Sequence, residues 1–164
     1  MLLIRSAQTL DVPRIQMIAE PLVADRVLLG KEMVELYESI QEFVVAELDG
    51  EVVGFGALHV MWQDLAEVRT LAVDVNYKRR GLGAAMLTEL LERAKQLGIR
   101  RVFCLTFEVE FFQSYGFEAI SDIPVDANTY AEMVRSHDEG VAEFLDLARV
   151  KQNTLGNSRM LKYL

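Results

Sequence analysis

The chain has 164 residues, 51% of them hydrophobic and 26% charged, with a net charge of −8 and one cysteine. That is enough apolar chain to bury a sizeable core, and it predicts one domain over residues 1–164. The negative balance argues against general nucleic-acid binding, and one cysteine excludes an internal disulfide and a cysteine-rich metal site. Arg5 interrupts the short apolar start, and no apolar run approaches the roughly 18 residues of a membrane span, so the expectation is a cytoplasmic protein with no membrane partner.

Leu2 to Arg5 reads as a short first strand. Thr9 or Asp11 can cap a helix with Pro13 in its first turn, and Val12, Ile15, Ile18, Ala19 and Leu22 supply the helical period. Leu28 to Lys31 is predicted as a loop and Glu32 to Ser39 as a second short helix. Phe43–Leu48, an Asp49-Gly50 turn and Glu51–Val60 make a hairpin. Gln63-Asp64 turns the chain into a strand from Leu65 to Asp74. A helix comes next, with Leu87, Leu90, Leu91, Ala94 and Leu97 on one face and Gly98 as its stop. Arg101–Thr106 is a buried strand, Phe111 to Gly116 a short helix, and Phe117–Ser121 another strand. Ala127–Ser136 and Val141–Val150 are candidate helices, Asn153–Asn157 a turn, and Ser158–Leu164 a closing strand.

The chemistry concentrates between the Leu65–Asp74 strand and the helix after it. Lys78-Arg79-Arg80-Gly81-Leu82-Gly83 is a glycine turn with three cations at a helix start. The first N–H groups of a helix lack internal partners and carry the positive end of its dipole. Glycines let the backbone approach a phosphate, so a diphosphate is the natural guest. Ala84 and Ala85 follow Gly83 where a nucleotide triphosphatase needs Lys and Ser or Thr, and Met86 stands where a dinucleotide fingerprint needs glycine. The plainer alternative is a solvated basic turn.

The spacing of Lys78, Gly81 and Gly83 resembles the acyl-CoA loop of the GCN5-related N-acetyltransferases (GNAT), with Lys78 at a place usually held by Gln or Arg. The element order also resembles that family: antiparallel strands leading to one parallel βαβ unit, then a late closing strand. Glu42–Glu47, Gly56–Val60, Glu67–Asp74, Leu105–Glu108, Phe111–Phe117, Gly140–Leu145 and Leu155–Leu161 resemble the acetyltransferase domain of N-acetylglutamate synthases, in their short stand-alone form.

The resemblance implies an α/β GNAT fold with a mixed central sheet. It implies acetyl-CoA as cosubstrate, no metal, and a free amino acid, glutamate first, as acceptor in arginine biosynthesis. Glu67 is the candidate general base; in a regular strand it shares a face with Arg69, Leu71 and Val73. The backbone of Leu71, Ala72 and Val73 would hold the developing oxyanion and the pantetheine amides. Lys78, Arg79, Arg80, Gly81, Leu82, Gly83 and Ala84 would take the pyrophosphate. Phe112 stands where the family often has a proton-donating tyrosine, one face of its helix within reach of coenzyme A. Lys31, Arg69 and Arg159 are candidate cations for the substrate carboxylates, with Asn157 and Ser158 adding hydrogen bonds.

The acidic surface also suits a cationic acceptor, such as a polyamine, an antibiotic amine or a protein lysine, and a non-catalytic acyl-CoA sensor is the third reading. His59 and His137 lack metal-ligand spacing, and Cys104 in an apolar strand reads as a buried, inert thiol. The tail from Asp138 onward would complete its own sheet or dock on a second copy as a homodimer.

Overall fold

The computed structural model describes residues 1–28, 30–150 and 156–164. Its strands are β1 (Leu2–Ser6), β2 (Phe43–Leu48), β3 (Glu51–Trp62), β4 (Leu65–Val73), β5 (Arg101–Thr106), β6 (Glu118–Ala119) and β7 (Ser158–Tyr163). Its helices are α1 (Val12–Ala24), α2 (Met33–Glu38), α3 (Leu82–Gln96), α4 (Val109–Gln113), α5 (Ala127–Met133) and α6 (Glu139–Phe144). The strands form a seven-stranded mixed sheet in the order β1-β2-β3-β4-β5-β7-β6. By packing, the chain forms two compact units, residues 1–59 with 68–96 and residues 60–67 with 97–164.

In the first unit β1 runs antiparallel to β2 and β2 to β3. Asp49 and Gly50 turn that hairpin with φ of 50° and 85°, the left-handed pair that matches strand twist. Val12, Ile15 and Ile18 of α1, Leu36 of α2 and Phe43, Val45, Phe55, Ala57 and Ala72 of the strands close one core. Arg5 reaches Asp11 at 2.8 and 3.0 Å and Glu47 at 2.7 Å, tying β1 to the start of α1 and to β2.

α3 buries Leu82, Met86, Leu87, Leu90 and Ala94. Two glycines of β3 make room for it. A β-carbon on Gly54 would lie 2.8 Å from Met86 Cε and 3.1 Å from the Ala72 carbonyl, and one on Gly56 would lie 2.8 Å from Leu71 Cδ1. Leu97 is expected on the buried face of α3; it lies just beyond the helix end at Gln96 and is exposed, in the turn that Gly98 completes at φ 82°.

In the second unit β4 and β5 pair in parallel over Leu65–Glu67 and Arg101–Phe103, while β5 and β7 pair antiparallel from Arg101↔Tyr163 to Thr106↔Ser158. Leu65, Phe103, Met133, Val141, Phe144, Leu145 and Leu161 form its core, with Phe103 and Phe144 edge to face at 5.3 Å.

Several boundaries differ from those expected of the sequence; the expected Ala127–Ser136 helix, for one, ends at Met133, and the Glu51–Val60 strand runs on to Trp62. The helix expected over Val141–Val150 is α6, capped by the Asp138 side chain and ended where Asp146 turns to φ 57°, with a 3-10 turn at Ala148–Val150 after it. The Phe-rich helix begins at Val109 and ends at Gln113, with Gly116 turning the chain at φ 90°. The strand expected from Phe117 to Ser121 narrows to Glu118–Ala119. Leu29 of the Leu28–Lys31 loop and residues 153–155 of the Asn153–Asn157 turn lie outside the described residues.

The packing of β3 and the Arg5 cluster can each be tested by unfolding. Gly56→Ala must displace Leu71 and should cost about 1–3 kcal/mol in denaturant unfolding. The hydrogen bond from Arg5 holds the Asp11 carboxyl below the ordinary carboxylate range. Asp11 therefore contributes stability above its unfolded value and loses it as pH falls through the lowered native value. Asp11→Asn should lose about 2 kcal/mol at neutral pH and unfold with a weaker acid dependence than the parent chain.

Candidate active site

The first unit holds the basic loop. β4 ends at Val73, and the Asp74 side chain accepts the Asn76 N–H at 2.9 Å to start a 3-10 turn over Val75–Tyr77. Lys78 is extended, then Arg79 and Gly81 take left-handed φ of 65° and 76°. α3 starts at Leu82, whose side chain is buried, with Gly83 and Ala84 half-buried. Lys78, Arg79 and Arg80 are exposed, and the Arg80 guanidinium lies 5.2 Å from the centre of the Tyr77 ring. The result is a helix start whose unpaired N–H groups open beside a run of cations, which fits a diphosphate.

β4 is not a regular strand. Thr70 has φ 55°, an outlier for a β-branched residue, and its buried hydroxyl oxygen has no hydrogen-bond partner among the described residues. Leu71 lies against the Gly56 position, where Leu90 of α3 also packs, and its neighbour Ala72 joins the α1 core. Arg69 and Lys31, the other candidate cations of this unit, are both half-buried. His59 meets Glu42 at 2.6 Å through Nδ1.

The second unit holds Glu67, buried and paired with Phe103 across the parallel ladder. Burial, and after it the charge of Glu67, pushes the Cys104 thiol well above its ordinary value, so it is protonated and inert. Phe112 is buried, edge to face with Phe111 and Phe117, each at 5.1 Å. Ser158 and Arg159 open β7, opposite Thr106 and Leu105. The Arg159 guanidinium donates to the Glu143 carbonyl at 3.0 Å, to the Asp122 carbonyl at 3.1 Å and to the Phe144 carbonyl. Burial pulls it below its ordinary value. Those bonds brace β7 against α6, a task its sequence position does not announce. The buried Asn157 Oδ1 has no partner among the described residues. Among those residues there is no cluster of three or more His, Cys, Asp or Glu side chains fit to hold a metal, and no helix is long and apolar enough to cross a membrane.

Residues 16–117 match the model of the acetyltransferase (GNAT) family. The chain belongs to the GNAT family. It is 53% identical to the amino-acid acetyltransferase of Mycobacterium tuberculosis over 98% of this chain and 94% of that one. A crystal structure of a Mycobacterium tuberculosis protein in complex with CoA and NLQ superposes with a TM-score of 0.94 at 53% identity, covering 99% of each chain. The N-acetylglutamate synthase of Neisseria gonorrhoeae, complexed with coenzyme A and N-acetyl-glutamate, superposes at 0.81 and 25% identity over the whole of this GNAT chain and 35% of that one. The amino-acid acetyltransferase of Aeromonas salmonicida is 32% identical, over 74% of this chain but only 28% of its own length. The mixed sheet and flanking helices are those of a GNAT fold.

The loop geometry makes one sharp contrast. A β-carbon on Gly81 would meet nothing within 4 Å, so Gly81→Ala should lower stability by about 1 kcal/mol through backbone strain alone. Gly83→Ala, at a helical position, should lack that penalty. Thermal unfolding of the pair checks the assignment.

Proposed function

We propose that this chain is an acetyl-CoA-dependent amino-acid N-acetyltransferase, acting as a single domain on L-glutamate to give N-acetylglutamate for arginine biosynthesis. The observation that carries the amino-acid reading is the full-length match to an amino-acid acetyltransferase. The glutamate assignment draws on the more distant N-acetylglutamate synthase.

Acetyl-CoA supplies the acetyl thioester; the residues of this chain hold it, orient it and move protons. Lys78, Arg79, Arg80 and the N–H groups of Gly81, Leu82, Gly83 and Ala84 take the diphosphate. The main chain of Leu71, Ala72 and Val73 pairs with the pantetheine amides and offers an N–H to the thioester oxygen as it gains charge. The acceptor amine arrives largely as an ammonium, and only the free amine attacks. Glu67 removes that proton, directly or through one water. A C–N bond then forms, the C–S bond breaks, and the thiolate takes a proton as the second amine proton leaves. A thiol of pKa near 8.5 departs without a dedicated acid, which suits Phe112, a side chain with no proton to give.

Lys31 and Arg69 are the cations of choice for the acceptor carboxylates, with Asn157 and Ser158 as hydrogen-bonding partners. Arg159 enters through whatever donors its bonds to Glu143, Phe144 and Asp122 leave over. The rival reading keeps the chemistry and takes a cationic acceptor, favoured by the net charge of −8.

The test is thiol release from acetyl-CoA against free amino acids, polyamines and a lysine peptide. Glutamate-dependent release is expected. Glu67→Gln should reduce it by about 10²–10⁴-fold with coenzyme A affinity unchanged. Release with a polyamine or peptide alone would replace the acceptor. Binding without release for any acceptor would point to a sensor.

A further inference from the structure

The basic loop poses a mechanical problem. Lys78, Arg79 and Arg80 are adjacent, exposed and mutually repelling, and Arg79 adds a left-handed backbone angle that a non-glycine residue takes at a cost. Something at the base of the loop must fix where it leaves the strand. That place is Asp74. Its backbone N–H donates to the Val53 carbonyl at 2.8 Å, and its own carbonyl accepts the Tyr77 N–H at 2.9 Å. Its Oδ1 accepts the Asn76 N–H at 2.9 Å, and its Oδ2 accepts Nη2 of Arg14 at 2.8 Å. Every polar group of this buried residue is therefore engaged.

Arg14 is equally committed. From the first turn of α1 it donates Nε to the Val52 carbonyl at 2.9 Å and Nη2 to Glu51 at 3.0 Å as well as to Asp74. It clasps the start of β3 and the end of β4 together. The far side of the turn is held by Tyr77, which carries Arg80 over its ring and lies 3.5 Å from Glu51 through its hydroxyl. A continuous set of contacts thus runs from α1 through Arg14, Asp74 and Tyr77 to a cation of the loop.

We propose that the Arg14–Asp74 pair is a positioning device for the Lys78–Ala84 loop and sets the affinity of the chain for the diphosphate end of its cosubstrate. This rests on the reading of acetyl-CoA as that cosubstrate. The pair touches no reacting atom. It fixes the direction in which the loop leaves β4, so that the N–H groups at the start of α3 and the cations converge without waiting for an anion to gather them.

The test compares two thioesters on the full chain. Asp74→Asn keeps an acceptor for the Asn76 N–H and leaves Arg14 anchored on Glu51 and Val52, but turns an amide NH2 toward the guanidinium, so the charged bond is lost. Arg14→Lys, the second variant, keeps the charge and loses the planar fork. Both should stay folded by thermal unfolding. Each should weaken coenzyme A binding in calorimetry about tenfold and raise the KM for acetyl-CoA to match, with kcat retained. Turnover of S-acetyl-pantetheine, which has no diphosphate, should be unchanged. An equal loss with both thioesters, or unchanged coenzyme A affinity in the folded variants, would overturn the proposal. Failure of the acyl-transfer reading looks different: a parent chain that binds coenzyme A but releases no thiol leaves the calorimetric comparison to decide the tether. A parent chain that does not bind coenzyme A overturns both.

Discussion

A β-branched residue held at a left-handed backbone angle is costly, on the order of 1–3 kcal/mol, and β4 holds Thr70 that way in the middle of a strand. Thr70 stands three residues before the end of β4 at Val73, just ahead of the turn into the basic loop. After Thr70, Leu71 packs where α3 crosses Gly56 and Ala72 drops into the core under α1. Val73 then hands the chain to Asp74, which caps the 3-10 turn ahead of the basic loop.

The glycines of β3 serve the same end. Met86 and Leu90 of α3 lie where β-carbons on Gly54 and Gly56 would stand, so the helix settles onto bare backbone. Close approach fixes α3 in depth, and with it the height of its first turn above the sheet. Electrostatics then act on a fixed frame. An acidic body carries one exposed run of three cations, so attraction for a polyanion is local and is opposed by the rest of the surface.

Most of the fold was legible because the strands and helices of this chain carry clean periods and strong stops. Phe43–Leu48 and the Asp49-Gly50 turn match their expected bounds, since a β-rich run ended by Asp-Gly leaves little choice, and Arg101–Thr106 matches as an apolar β-rich run. Less was legible where tertiary contacts override local preference. Nothing in the letters marks Thr70 as left-handed, since a β-branched residue within an apolar run reads as ordinary extended strand. The stop at Asp146 is similar: an aspartate tolerates the left-handed region without advertising it. At the site, the turn into α3 could be read because a glycine just ahead of a helical period marks a change of direction. The commitments of Arg159 could not, since its acceptors are backbone carbonyls, which have no identity in sequence. The roles of Arg14 and Asp74 were hidden for a related reason: they are 60 positions apart and meet only after the sheet has formed.

Cys104 has a practical side. It is the only sulfhydryl in the chain, sealed in β5 and protonated far above neutrality. A folded sample is therefore silent toward thiol-directed dyes, and coenzyme A liberated in its presence is counted without a protein background. The same residue becomes a clock when no cosubstrate is present. Labelling then requires β5 to open, so the rate of dye uptake reports how often the centre of the second unit comes apart while the rest of the population stays native.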